Sequence, residues 1–234
     1  MILKVIIYII RFDYNCQSIL QWLYERVIKI NRLNSDLTAK LGEKLCLDFV
    51  NTASWHESEK PIENLNDIET FIDWCAFMGI IDDSSKNQFY LYLSEDSFNN
   101  NQILNEIIEI REVIFRIFRN IAFNEEYKNE DMIKLINYLP KIYKDVDLTK
   151  NDYNFTIRIK PDAKNIISLI FPVIQSAIEL LTQEDMNRIK ICGGERCGWL
   201  FYDTSRNNSR KWCSMADCGN REKSKRHYYK NKKG

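Results

Sequence analysis

Four of the chain's seven cysteines fall into two equally spaced pairs, Cys192-x4-Cys197 and Cys213-x4-Cys218, separated by fifteen residues. This spacing constrains the fold more than any other feature. Each short loop brings two thiolates to one side of a backbone turn, and the connection between the pairs is long enough to turn and bring the second pair back to the first. Zn²⁺ requires such convergence, because it takes four soft ligands at about 2.3 Å in a tetrahedron. The sequence therefore predicts one structural Zn²⁺ held by Cys192, Cys197, Cys213 and Cys218. The competing readings are a redox pair or two buried disulfides, but the x4 spacing differs from the two-residue separation of an oxidoreductase motif. Four thiolates complete the shell, which leaves His227 as a surface or nucleic-acid contact.

Between the pairs, "WLFYDTSRNNSRKW" places aromatic residues on both sides of a polar, turn-rich stretch. It predicts a β-hairpin turning near Asn207 and Asn208, with Trp199, Phe201 and Trp212 walling the metal. The second pair opens a terminal helix through "NREKSKRHYYK". The order of knuckle, hairpin and helix resembles a treble-clef finger.

Charge separates this tail from the rest. The chain is formally neutral, with 33 Lys+Arg against 33 Asp+Glu, yet Arg188 to Gly234 holds thirteen Lys/Arg and four Asp/Glu, a net of +9 that leaves −9 for residues 1–187. Four thiolates around one Zn²⁺ lower the tail only to about +7. Such a basic module suits a polyanion. In the tail, Arg206, Arg210, Lys211, Arg221, Lys225 and Arg226 are the candidate nucleic-acid contacts. Lysines and arginines at helical steps grip phosphates, and Arg221 can also form a bidentate contact with a base edge. Arg221 and Asn220 have an alternative role beside a ligand cysteine, bracing the zinc loop.

Upstream, apolar residues recur at three- and four-residue steps, so the fold class is mainly α. Helices are expected over Cys16–Leu33, Leu41–Thr52, Asp67–Met78 with Gly79 as its stop, Gln102–Phe123, Asp131–Tyr143 interrupted near Pro140, and Asn165–Thr182 kinked at Pro172. In the longest of these, Ile103, Ile107, Ile110, Ile114, Ile117 and Ile121 trace one face wide enough for the centre of a bundle. "YNFTIRI" alternates like a short strand. The expected organisation is an N-terminal extension over 1–40, a helical domain over 41–187 and a small zinc finger over 188–234. Cys16, Cys46 and Cys75 stand singly among apolar residues, as reduced thiols in a cytoplasmic protein do. "MILKVIIYII" is too short to span a membrane and lacks a small-residue cleavage site.

The residues Cys218-Gly219-Asn220-Arg221, within "FYDTSRNNSRKWCSMADCGNREKSKRHY", resemble the CGNR zinc-finger family. "LGEKLCLDFVNTASW" resembles the opening of the ABATE domain, which accompanies this finger in transcription regulators linked to stress. The two resemblances cover Leu41 to Tyr229. They imply a mostly helical N-terminal domain, a metal-binding C-terminal finger and DNA binding.

In "LDFVNT", Asp48 and Asn51 lie three residues apart with Trp55 just beyond, marking either the start of a ligand pocket or a hydrogen-bond network at a helix end. The leading expectation is a zinc-dependent DNA-binding regulator whose helical domain senses a ligand, dimerises or contacts a protein partner. An RNA-binding protein of zinc-ribbon type shares every feature but the target. A small-molecule enzyme using the Asp48/Asn51 region is the third reading. No nucleophile–base pair or phosphate-binding loop appears in the sequence, and His56 and His227 are its only histidines, which disfavours acid–base catalysis.

Overall fold

A computed structural model describes residues 44–94, 99–144, 146–150, 152–159, 162 and 164–232, all within one unit spanning Lys40–Gly234. The proposed extension over 1–40 and the helix expected at Cys16–Leu33 lie outside the described residues. The described elements run α1 (Leu45–Val50), β1 (Ala53–Ser54), β2 (Ile62–Glu63), α2 (Ile68–Phe77), α3 (Asp83–Ser94), α4 (Asn100–Ala122), α5 (Asn129–Ile136), α6 (Leu139–Tyr143), β3 (Val146–Lys150), β4 (Phe155–Ile159), α7 (Phe171–Gln183), β5 (Ile189–Ile191), β6 (Leu200–Tyr202) and α8 (Asn220–Lys232). The fold is mainly helical, and the strands among the described residues form three separate antiparallel pairs, β1–β2, β3–β4 and β5–β6.

The helix ends follow their sequence signals. Asp67 caps α2 by accepting the Thr70 N–H at 2.8 Å. After α2, Gly79 takes a left-handed φ of 76°, which lets the Ile80 N–H reach back to the Cys75 carbonyl at 2.9 Å. A residue with a Cβ would resist that backbone. Asn99 caps α4 through the Gln102 N–H, and the expected apolar face of this helix is realised. Ile107, Ile110, Ile114 and Ile117 are buried, together with Leu104, Val113, Phe115 and Phe118. The core forms where α4 meets α1, α2 and the segment leading into α7. Phe49 of α1 stands 6.2 Å from Phe71 and 5.3 Å from Trp74, and all three are essentially inaccessible.

The structure corrects two sequence expectations. Pro172 does not kink a continuous helix. A 3₁₀ turn over Ile166–Ile170 precedes it and the proline occupies the first turn of α7, where a missing N–H costs no hydrogen bond. The Ile166–Gln183 stretch is apolar and long enough to cross a membrane by composition, but Leu169, Ile170, Val173, Ile174, Ala177 and Leu180 are packed in the core. The strand expected in "YNFTIRI" is present as β4, and it pairs in register from Val146↔Ile159 to Lys150↔Phe155 with β3, where no strand was expected. The second correction concerns the finger. Its hairpin does not turn at Asn207 and Asn208. Instead β6 pairs upstream with β5, in register Ile189↔Tyr202, Lys190↔Phe201 and Ile191↔Leu200, so the first cysteine pair sits at the hairpin's turn.

Candidate metal centre and its links to the helical domain

The β5–β6 hairpin presents Cys192 and Cys197 from one tight knuckle. The Cys192 N–H donates to the Trp199 carbonyl at 2.8 Å and the Cys197 N–H to the Gly194 carbonyl at 3.0 Å, closing the loop. Gly194 is needed there for space, because a Cβ at that position would lie 3.1 Å from Cys218 Sγ. The second pair arrives through a loop organised by Asp203. This carboxylate, wholly buried, accepts hydrogen bonds from Lys190 Nζ at 2.6 Å, the Arg210 N–H at 2.8 Å and the Ser205 N–H at 2.9 Å. Burial pushes its pKa up, but these donors outweigh burial and hold it well below the usual carboxylate range. The loop is then tied to the knuckle by the Gly193 N–H, which donates to the Lys211 carbonyl at 2.9 Å. A π-helical turn over Met215–Gly219, capped by Ser214, swings Cys218 back toward Cys213 before α8 begins.

All four sulfurs lie within 4.8 Å of one another and all four cysteines are buried and unbridged. Cys197 and Cys213 are 3.8 Å apart and Cys213 and Cys218 3.7 Å apart, sulfur to sulfur. A tetrahedron with metal–sulfur bonds of about 2.3 Å has edges of about 3.8 Å, so the geometry fits Zn²⁺ and rules out disulfides here. Packed this closely, the thiols oppose one another's ionisation. Hydrogen bonds from Cys197 and Cys213 pull Cys192 down, the same contacts hold Cys197 and Cys213 up, and burial raises Cys218. A dication at the centre relieves this conflict and lets all four bind as thiolates. The N–H groups of Cys213 and Gly194 donate to Cys192 Sγ at 3.3 and 3.4 Å, and the cluster packs against Phe201, Trp199 and Trp212 as the sequence predicts.

The finger is fastened to the helical domain by buried polar contacts that cross the compositional break at Arg188. Asn51, at the end of α1, behaves as a strand partner to Leu200. Its Nδ2 donates to the Leu200 carbonyl at 2.8 Å and its Oδ1 accepts the Leu200 N–H at 2.9 Å. Trp199 Nε1 donates to the Ala53 carbonyl at 3.2 Å. The loop carrying Trp55, His56 and Glu57 lies against the knuckle so closely that a Cβ on Gly198, itself at φ 68°, would meet the Glu57 nitrogen at 2.6 Å. The same loop is anchored to α4 by a hydrogen bond between His56 Nε2 and Glu112 at 3.0 Å and an ion pair of Glu57 with Arg119 at 2.8 Å, while the His56 ring stacks on Phe115 at 3.7 Å. Nearby, Arg111 is almost wholly buried and forks onto both Glu63 oxygens at 2.6 Å. Asp48 is buried beside Asn51.

The candidate cations divide into two groups. Arg210 donates to the Trp212 and Cys213 carbonyls and lies 4.6 Å from the Phe201 ring centroid, bracing the knuckle. Arg221 donates to Cys218 Sγ at 3.0 Å and stands 5.2 Å over the Trp55 ring. Lys225 pairs with Glu195 of the knuckle. Arg206, Lys211 and Arg226 are exposed, Arg226 lying 6.0 Å over the Trp212 ring. The scaffold roles of Asp203, Lys190 and Arg188, whose guanidinium donates to the Asp203 and Ser205 carbonyls, were not foreseen. An Asp two residues before a Ser is an Asx-turn signal, but nothing in the sequence places Lys190 or Arg188 against it.

A helical domain carrying a tetrathiolate zinc finger, tied to it through one helix end and one loop, is the class that this fold and site define. Residues 43–184 match the ABATE family, described as "Putative stress-induced transcription regulator", and residues 188–231 match the CGNR zinc finger. The chain belongs to the ABATE family and carries a CGNR finger that holds one structural Zn²⁺ through Cys192, Cys197, Cys213 and Cys218. A search of curated proteins found none that matches.

Proposed function

We propose that this protein is a zinc-dependent regulator that binds DNA through its CGNR finger in the cytoplasm, and that its helical domain senses a ligand or contacts a partner. The observation that carries this reading is α8 itself. Thirteen residues long, it buries none of them and holds six Lys/Arg against one Glu, on a scaffold fixed by the metal. Beyond the contacts that Arg221, Glu222 and Lys225 make with the knuckle and Trp55, the helix adds nothing to the core, so its remaining cations are available to a partner. Nucleic acid is the polyanion suited to it, and the acidic remainder of the chain keeps other surfaces off the phosphates.

In the helical domain, a cleft floored by Ile110, Val113 and Leu135 and edged by Tyr138 and Lys141 offers room for a small ligand. The β3–β4 ribbon, with Leu148, Tyr153 and Phe155 exposed, offers a surface to a protein partner or a second copy. The enzymatic reading is not favoured, since both polar atoms of the Asn51 amide are engaged by the Leu200 main chain.

The test is competition of duplex DNA against structured RNA for the zinc-loaded chain at several salt concentrations. Preference for DNA with a steep salt dependence, lost when the metal is stripped, is expected. Equal or stronger binding to structured RNA would replace DNA by RNA in this reading.

A further inference from the structure

The six cations singled out in the sequence do not all remain available to a nucleic acid, and the structure exposes two that were not among them. On α8 the residues Arg221 and Lys225, four apart, share one side of the helix. That side faces the protein, through Cys218 and Trp55 for Arg221 and through Glu195 for Lys225. Glu222 lies toward the same side, accepting the Glu195 N–H at 3.1 Å. About 150° around the helix, at 100° per residue, lie Lys223, Arg226 and Lys230, spaced three and four apart. All three are exposed, and none has a carboxylate partner among the described residues. Arg226 reaches over Trp212, whose neighbour Lys211 is likewise exposed. Lys211 is held in place because its carbonyl accepts the Gly193 N–H from the knuckle.

We propose that the Lys223–Arg226–Lys230 face of α8, continued by Lys211, is the surface that docks in the major groove of duplex DNA, while the Arg221–Lys225 face holds the helix on the zinc centre. This rests on the DNA-binding reading and specifies its contact face. The dimensions suit the occupant. An α-helix with side chains is about 10–12 Å across, and the B-DNA major groove, about 12 Å wide, admits one. The span from Lys223 to Lys230 is about 10 Å along the helix axis, so the three cations can reach successive phosphates along the groove. The deep, narrow major groove of A-form RNA excludes such a helix, which makes duplex DNA the committed partner.

The experiment uses the full zinc-loaded chain and a mixed-sequence DNA duplex, with an RNA duplex of the same sequence as competitor, and follows affinity against salt. Zinc content and circular dichroism establish that each variant is folded. The triple variant Lys223→Gln/Arg226→Gln/Lys230→Gln is expected to lower the slope of log affinity against log salt by about 0.9 per lost contact, about 2.7 in all. Lys225→Gln is expected to change it by well under one contact. A folded triple variant that binds like the parent, or a Lys225→Gln variant that loses as much as the triple, overturns the assignment of the face while leaving DNA binding intact. RNA duplex competing as well as DNA overturns groove docking. Failure of the parent to bind either duplex removes the DNA-binding reading and this face with it.

Discussion

The Arg221 guanidinium joins the metal centre to the helical domain, donating to Cys218 Sγ at 3.0 Å while lying 5.2 Å over the ring of Trp55. Trp55 sits at a left-handed φ of 60°, an uncommon backbone for a bulky residue, in the loop whose next two residues pair with α4. One side chain thus stabilises a ligand thiolate and presses the finger against the loop.

Arg221→Ala is therefore expected to lower zinc affinity by about 10- to 100-fold, as loss of a partner to a metal ligand does, and to leave DNA sequence preference unaltered. Chelator competition measures the first and selection from a random duplex pool the second. A changed preference at one base position with unchanged zinc affinity would instead make Arg221 a reader of base edges.

Metal removal has a bounded effect. The protein purified without chelator should contain about one zinc per chain, and Cys213→Ser should abolish it. The finger is then expected to unfold, because its own core is little more than Phe201 and two half-buried tryptophans around the thiolates. The core around Phe49, Phe71 and Trp74 persists, so helical circular dichroism falls only in part while amide exchange rises in residues 189–219.

Asn51→Ala removes both hydrogen bonds to Leu200 and leaves a buried N–H and a buried carbonyl unpaired. The expected cost is about 2–6 kcal/mol in denaturant unfolding, from about 1–3 kcal/mol for each of the two unsatisfied groups. Asn51→Asp keeps the acceptor but sets a carboxylate against the Leu200 carbonyl, and should be no better. A ligand-binding role confined to Asn51 would leave stability unchanged.

Asp131, in the first turn of α5, ties that helix to α4 through both oxygens on Arg116, at 2.5 and 3.0 Å. The Arg116 guanidinium is the main cause holding its pKa below 3.8, against the opposing effect of burial. A carboxylate with a lowered folded pKa contributes stability in full above its ordinary range and loses it as pH falls through the folded value. Asp131→Asn should thus cost about 1 kcal/mol near neutral pH, a modest value because Arg116 is partly exposed. The difference from the parent should shrink below about pH 4 in paired thermal melts. A difference that persists unchanged in acid would mean the asparagine disrupts packing and not charge.

The zinc ligands and the long apolar face of α4 were legible in the sequence because both are written locally. Ligand spacing of four residues limits how cysteines can converge, and a 3.6-residue period needs no knowledge of what it packs against. Caps such as Asp67 and Gly79 are local for the same reason. Strand pairing is not. Leu200–Tyr202 is an apolar run that suits a buried strand whichever neighbour it takes, and β5 became that neighbour because Asp203, held by Lys190, Ser205 and Arg210, folds the following segment into a loop. Nor does a sequence reveal which charges are free. Arg221, Lys225 and Arg226 are equivalent cations along the chain. Only the tertiary structure sets Cys218 Sγ and Trp55 against the first and Glu195 against the second, and leaves the third over Trp212 with no carboxylate partner among the described residues, because charge compensation depends on distances that chain order does not specify.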